Sequence, residues 1–229
     1  MIPTRLPGPP RKPDKKMFDL ATNPDSDPPT RCVGILLAAG RGRRYAEAAP
    51  GQDKLTALLA DGTPVAVAAA RALRAATTRV VAITRPGQAS LQALLANAGC
   101  EVITTDPHAA GMGDSLAAAA RHLLRTCGTE IQTSLVALGD MPWVQPDTCL
   151  QVARLAFAHP IVAPVWKGQR GHPVAFHRSL WPDLAALAGD TGARVVLESH
   201  GTTELAVSDA GICADIDTPA DLLAGVGLR

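Results

Sequence analysis

An apolar run, Val33 to Leu37, opens into Ala38, Ala39, Gly40 and Gly42 and then into two adjacent arginines, Arg43 and Arg44. Backbone N–H groups bared by glycines form a concave anion site, and guanidinium groups match phosphate oxygens in shape and charge. A strand feeding such a loop points to a phosphate-bearing ligand, a nucleotide above all. The two commonest phosphate loops do not fit. Gly-x-x-x-x-Gly-Lys-Ser/Thr is absent, and Tyr45 stands where Gly-x-Gly-x-x-Gly needs its third glycine. The plain alternative is a strand-to-helix turn with solvated arginines.

Carboxylates supply the second half of the chemistry. Asp140 ends the apolar run Leu135–Leu138 and precedes Met141-Pro142, so it falls at a strand's carboxyl end, where an oxygen-preferring Mg²⁺ could bridge it to phosphates. A turn cap is the competing role. Asp217, in Asp215-Ile216-Asp217-Thr218-Pro219, is a second metal candidate, and Asp217 or Thr218 could equally cap a short helix over 219–223. Lys54 is a candidate point charge for the phosphates, or an ordinary surface lysine.

Gly111-Met112-Gly113-Asp114-Ser115 opens an alanine-rich helix whose glycines would let a base or ribose rest on backbone. Gly168 to Pro173 reads as a hairpin, which explains its glycines but not Arg170 and His172 together. Gly189-Asp190-Thr191-Gly192-Ala193-Arg194 is a similar loop entering a helix, with Asp190 a natural cap and Arg194 open to solvent.

These loops must be positioned by the elements between them. The apolar pattern predicts strands at 33–38, 79–84, 101–104, 134–138 and 161–165, and helices at 65–76, 88–98, 114–125, 147–158 and 178–187. Such alternation predicts an α/β, Rossmann-like three-layer fold with a mostly parallel sheet. Ligands of these folds bind beyond the carboxyl ends of the strands. The unusual residues all fall there, Arg85-Pro86-Gly87 included.

The chain has 229 residues, 47% of them hydrophobic and only 3% aromatic, so its core must be Ala, Val and Leu. A net charge of +1 gives no general pull toward nucleic acid or membrane. Five scattered cysteines without a Cys-x-x-Cys pair, and no signal sequence, suit reduced thiols in the cytoplasm. Residues 1–30 carry eight of the nineteen prolines and are expected to be a disordered extension to a folded domain over 31–229.

With these motifs in hand, the chain resembles the MobA-like nucleotidyltransferases, and among them the molybdenum cofactor cytidylyltransferases. Leu37-Ala38-Ala39-Gly40-x-Gly42-x-Arg44 is similar to that family's nucleotide loop, and Lys54 to its lysine. Gly111-Met112-Gly113-x-Ser115, Gly139-Asp140-Met141-Pro142, Arg170-Gly171-His172-Pro173, Gly189-Asp190-x-Gly192-Ala193-Arg194 and Asp215 to Pro219 follow in order. Tyr45-Ala46 departs from the glycine usual after the arginine.

The resemblance implies CMP transfer from CTP to the terminal phosphate of molybdopterin, with release of pyrophosphate and dependence on Mg²⁺. It implies Arg44, Lys54 and Asp140 as catalytic groups, and Asp140 with Asp217 as metal ligands. Leu37, Ala38, Ala39, Gly40, Gly42, Arg85, Gly111, Met112, Gly113 and Ser115 would hold the nucleotide. Arg170, Gly171, His172, Asp190 and Arg194 would hold the acceptor, and a molybdenum hydroxylase or its insertion chaperone would be the partner. A different nucleotide or phosphorylated acceptor, a non-catalytic cofactor-binding protein and a dinucleotide-dependent oxidoreductase are the competing readings.

Overall fold

Side chains along a strand alternate between the two faces of a sheet, and here the alternation assigns each residue to one of two cores. The computed structural model describes residues 31–109 and 111–224; the expectation for residues 1–30 lies outside them. Strand β1 (Cys32–Leu37) is central. Its Cys32 and Leu36 join one apolar cluster, while Val33 and Ile35 join the other. The same split separates Val80 and Ala82 from Val81 and Ile83 on β2 (Val80–Thr84), and Leu135 and Ala137 from Val136 on β4 (Thr133–Leu138).

Helices α2 (Val65–Arg74), α3 (Ala89–Asn97) and α5 (Pro146–Leu155) cover the first face. Helix α4 (Met112–Thr126) and the short α6 (Trp181–Ala185) cover the second. Small residues let the layers approach closely. A Cβ on Gly34 would lie 2.9 Å from the Leu73 and Val80 side chains, so α2 presses on β1 through the missing methyl.

The strand order is β3-β2-β1-β4-β7-β5-β6, with β3 at Glu101–Thr104, β5 at Ile161–Trp166, β6 at Gln169–Arg170 and β7 at Val174–His177. Strands β3, β2, β1 and β4 are parallel. Strand β7 is antiparallel to both β4 and β5, and β8 (Thr203–Ala206) adds to β5 in parallel. The mostly parallel three-layer fold is therefore present, with an antiparallel insertion. Because β7 reverses between them, β4 and β5 point the same way and end on the same rim.

Four local differences from the sequence reading have physical causes. Six residues after Gly42 form a short helix, α1 (Arg43–Ala48), too short to show a period. The helix expected over 178–187 is a 3-10 turn (Arg178–Leu180) running into α6, because Pro182 lacks the N–H that a helix begun at Arg178 would need there. The helix expected from residue 114 already begins at Met112: Gly111 is the cap residue and Asp114 returns to its N–H at 3.1 Å. Asp190 sits in a 3-10 turn (Gly189–Thr191), and α7 (Arg194–His200) begins after Ala193. All five cysteines are free, and burial pushes the Cys32 thiol up to about 12. Among the described residues no helix is long and apolar enough to cross a membrane.

Candidate active site

The carboxyl ends of β1, β2, β3 and β4 surround a cavity of about 610 Å³, within the ordinary range for small-molecule sites. Its wall takes Leu37 to Arg43 from the loop after β1, Arg85 and Pro86 from that after β2, and Thr105 to Pro107 from that after β3. Gly111, Met112 and Ser115 at the start of α4, Asp140 after β4, and Lys54 and Asp190 complete it.

Main-chain bonds fix the loop to the rim. Ala38 N donates to Ile83 O at 2.8 Å, and Gly139 N donates to Leu37 O at 2.9 Å. Gly42 then turns the chain into α1 with φ 53°, a conformation that favours glycine. Gly40 differs: a Cβ there would meet nothing within 4 Å, so neither strain nor crowding in the protein calls for glycine. The open side lies in the cavity wall.

Lys54 is buried and its ammonium is the hub of the acidic side. Nζ donates to Asp140 Oδ2 at 2.7 Å, to Ile216 O at 2.8 Å and to Asp217 Oδ1 at 3.4 Å. Burial by itself would lower its pKa, but the hydrogen bond and charge of Asp140, with those of Asp217, hold it above the usual lysine value. The distant acidic segment is brought here by Ile216 N, which donates to Asp140 O at 2.9 Å. Asp221 then fixes its end, accepting from the N–H groups of Asp217 and Thr218. The Thr218 amide, against a smaller effect of burial, holds the Asp221 carboxyl below its ordinary range.

The structure brings together Asp140, Asp217, Lys54 and Arg44, but Arg44 is engaged with Asp217 and does not line the cavity. Arg41 and Arg43 line it in its place, and with Arg85 they have no side-chain partner among the described residues. Only spacing could have separated these arginines, and α1 was not visible in the spacing. Asp53 and Gln88 also escaped the sequence reading. Asp53 accepts from Leu55 N at 3.0 Å and Gln88 Nε2 at 3.2 Å, while Gln88 Oε1 accepts from Arg85 N at 2.9 Å. This chain of bonds ties Lys54's turn to Arg85's.

The five residues expected to face an acceptor are spread more widely. Asp190 lines the same cavity, next to Gly111. His172 is half-buried with Nδ1 3.4 Å from Val136 O; burial lowers its pKa, against the opposing pull of that carbonyl and of Asp140. Arg170 lies 3.9 Å from Glu204, and Gly171 is packed so tightly that a Cβ would sit 2.0 Å from Ile212 O. Arg194 turns to solvent and pairs with Glu198 at 2.8 Å. Gly113 serves packing: its missing Cβ admits Gly189 O, which would lie 2.8 Å away.

Chemically, one wall offers bare amides and free guanidinium groups. The other offers Asp140 and Lys54, with the oxygens of Asp217 and the Ile216 carbonyl behind them on the same ammonium. An all-oxygen set of this kind suits Mg²⁺, which commonly takes one or two carboxylates and leaves other positions to phosphates and water. Among the described residues no group of three or more His, Cys, Asp or Glu is placed to hold a metal by itself.

Comparison with known proteins agrees with this geometry. The family model described as a MobA-like NTP transferase domain matches residues 34–204. Rv0371c from Mycobacterium tuberculosis H37Rv is similar at 28% identity and TM-score 0.71, over 86% of this chain and 99% of that one. The crystal structure of its complex with manganese matches at 27% identity and TM-score 0.65, over 85% and 97%. A nucleotidyl transferase from Methanothermobacter thermautotrophicus shares the fold at 21% identity and TM-score 0.71, over 85% and 95%. No curated protein matches the chain. The chain belongs to the MobA-like NTP transferase family and is a nucleotidyltransferase, its glycine loop, Lys54 and Asp140 lining one cavity.

Proposed function

We propose that this enzyme is of the molybdenum cofactor cytidylyltransferase type: it transfers CMP from CTP to the terminal phosphate of molybdopterin, with Mg²⁺. One observation carries the reading: the Gly40–Arg43 loop, the buried Lys54 and Asp140 line a single cavity. The Ala38-Ala39-Gly40 form of the loop supports CTP, through the resemblance, and the manganese complex of Rv0371c supports a divalent ion.

An oxygen of the acceptor phosphate attacks the α-phosphorus of CTP. The bond from that phosphorus to the β-phosphate oxygen breaks, and pyrophosphate leaves with its electron pair. Such transfers ask the protein for position and charge, with little covalent work. Loop amides at Ala39, Gly40 and Gly42 receive the triphosphate, with Arg41, Arg43, Arg44 and Lys54 as its cations. Asp140 and Asp217 would hold Mg²⁺, which when bound offsets phosphate charge. Arg85, Gly111, Met112 and Ser115 line the base and ribose end. Arg170, Gly171, His172 and the Asp190–Arg194 loop belong to the acceptor side, and neutral His172 orients the acceptor. A phosphate nucleophile is ionised at neutral pH and needs no strong base. The five free cysteines support a reducing, cytoplasmic setting, and a molybdenum hydroxylase or its insertion chaperone would take the product.

Pyrophosphate release by the purified protein tests this, with CTP or GTP, Mg²⁺ and either the molybdenum cofactor or a sugar phosphate. CTP with the cofactor should turn over fastest. Exclusive use of GTP overturns the base, and faster turnover of the sugar phosphate overturns the acceptor.

A further inference from the structure

The acidic pair across from the glycine loop already holds a cation, and that cation is part of the chain. The Lys54 side chain is 9% exposed, against 21% for Asp140 and 36% for Asp217. Its ammonium bonds one oxygen from each group that could serve a metal ion: Asp140 Oδ2, Ile216 O and Asp217 Oδ1. Arg44 occupies the remaining oxygen of Asp217, Oδ2. Two carboxylates thus face two cations, with the Asp221 carboxylate also within electrostatic reach of Lys54.

A dication cannot simply be added to a partly desolvated cluster whose oxygens a buried ammonium already holds. Either it meets the ammonium at close range, or the ammonium leaves for a buried place without a partner, and both are costly. Nucleotide phosphates remove the difficulty by giving the displaced cation new oxygens. The route is short: Lys54 itself lines the cavity, and its chain runs beside Gly42, whose absent Cβ would stand 3.5 Å from Lys54 Cγ.

We infer that Lys54 occupies the divalent-cation position of the free enzyme and exchanges onto phosphate when nucleotide enters, so that metal ion and nucleotide load as a coupled pair. This rests on the metal reading above. Lys54 is then a positioning residue for the metal site as well as a phosphate contact. Its ammonium keeps the free enzyme from holding metal without substrate.

Mn²⁺ binding, measured by electron paramagnetic resonance of the free ion, tests the inference without turnover. The native protein and the Lys54→Met, Lys54→Gln and Asp140→Asn variants are titrated alone and with a CTP analogue carrying a methylene bridge between α- and β-phosphorus. Thermal melts check that each variant is folded, and two substitutions at Lys54 guard against one that is not. Without nucleotide, the Lys54 variants should bind Mn²⁺ at least about fivefold more tightly than the native protein, the low end of ordinary coupling between sites. The analogue should tighten Mn²⁺ binding more in the native protein than in either of them. If Asp140→Asn abolishes Mn²⁺ binding while the Lys54 variants bind Mn²⁺ alone no more tightly than native, the exchange is wrong and the metal site stands. If Asp140→Asn leaves Mn²⁺ binding unchanged, the metal reading itself fails.

Discussion

The two rims of the sheet both carry clustered charge, yet the charges are placed differently: satisfied by main chain and carboxylate on one, facing a cavity on the other. On the amino-terminal rim, Arg178 donates to Gly128 O at 2.6 Å, Ile131 O at 3.0 Å and Cys127 O at 3.1 Å, and lies 4.9 Å over the Trp181 ring. Arg79 pairs with Glu101 at 2.7 Å and with Thr126 Oγ1 at 2.8 Å. Each guanidinium there closes a chain end and is satisfied. On the carboxyl-terminal rim, Arg41, Arg43 and Arg85 face a cavity with no side-chain partner among the described residues. A charge cluster is therefore not itself a site. Cations left unsatisfied beside bare backbone and open space distinguish one from a staple.

The largest effect should come from the carboxylate of the open rim. Asp140→Ala should lower turnover by roughly two or more orders of magnitude, the scale of losing a key electrostatic contact. The fold should survive with a lowered melting temperature, since Asp140 lies outside the apolar clusters and Lys54 keeps Ile216 O and Asp217 when it loses Asp140. Loss of the fold would place Asp140 with the staples instead. The mirror experiment is Arg178→Ala, which should cost about 1–3 kcal/mol of stability by orphaning main-chain carbonyls. Its kcat and KM, measured below the melting range, should not move. A changed kcat would erase the distinction between the rims.

Much of the open rim was legible in the sequence because strand ends and loop glycines are local signals. Gly40, Asp140 and the start of α4 could be placed by counting from apolar runs. What joins them could not. The pairing of Lys54 with Asp140 and Ile216 closes loops across 86 and 162 residues, and nothing local encodes such partners. Arg44 was distinguishable from Arg43 only by the turn of α1, six residues long and started by a left-handed glycine. Strand β8 was missed, and the hairpin read over 168–173 implied return strands without bounding β6 or β7, each of these being four residues or fewer. The staple rim gave no signal, since Arg178 acts on carbonyls, and every residue has one.

Two glycines of the phosphate loop sharpen the comparison within the open rim itself. Gly40 has free space and no strained dihedral, so Gly40→Ala should leave stability unchanged within about 0.5 kcal/mol. On the proposed reading it should nevertheless raise the KM for the nucleotide by about tenfold, because a methyl group would stand where backbone is to meet phosphate. Gly42→Ala should instead cost about 1 kcal/mol or more of stability, since its φ of 53° disfavours a side chain. Equal effects of the two on melting temperature would mean that Gly40 is structural too.

The smallest effect is expected at His172, which belongs to the open rim but is satisfied like a staple. Burial holds its folded pKa below the ordinary 6.5, so the native ring stays neutral on a path from neutral to mildly acid pH. The unfolded chain takes up a proton as pH falls through about 6.5, while the native state refuses it. The stability contributed is complete above that value and is lost as pH drops from it toward the folded pKa. One proton is worth at most about 1.4 kcal/mol per pH unit, and nothing at pH 8. His172→Gln titrates nowhere in this window, so melting temperatures of the two proteins should run parallel from pH 8 to 7. Below pH 6.5 the native protein should lose ground to the variant. Parallel curves down to pH 5 would mean that the ring accepts its proton in place and that the Val136 carbonyl and Asp140 fully offset burial.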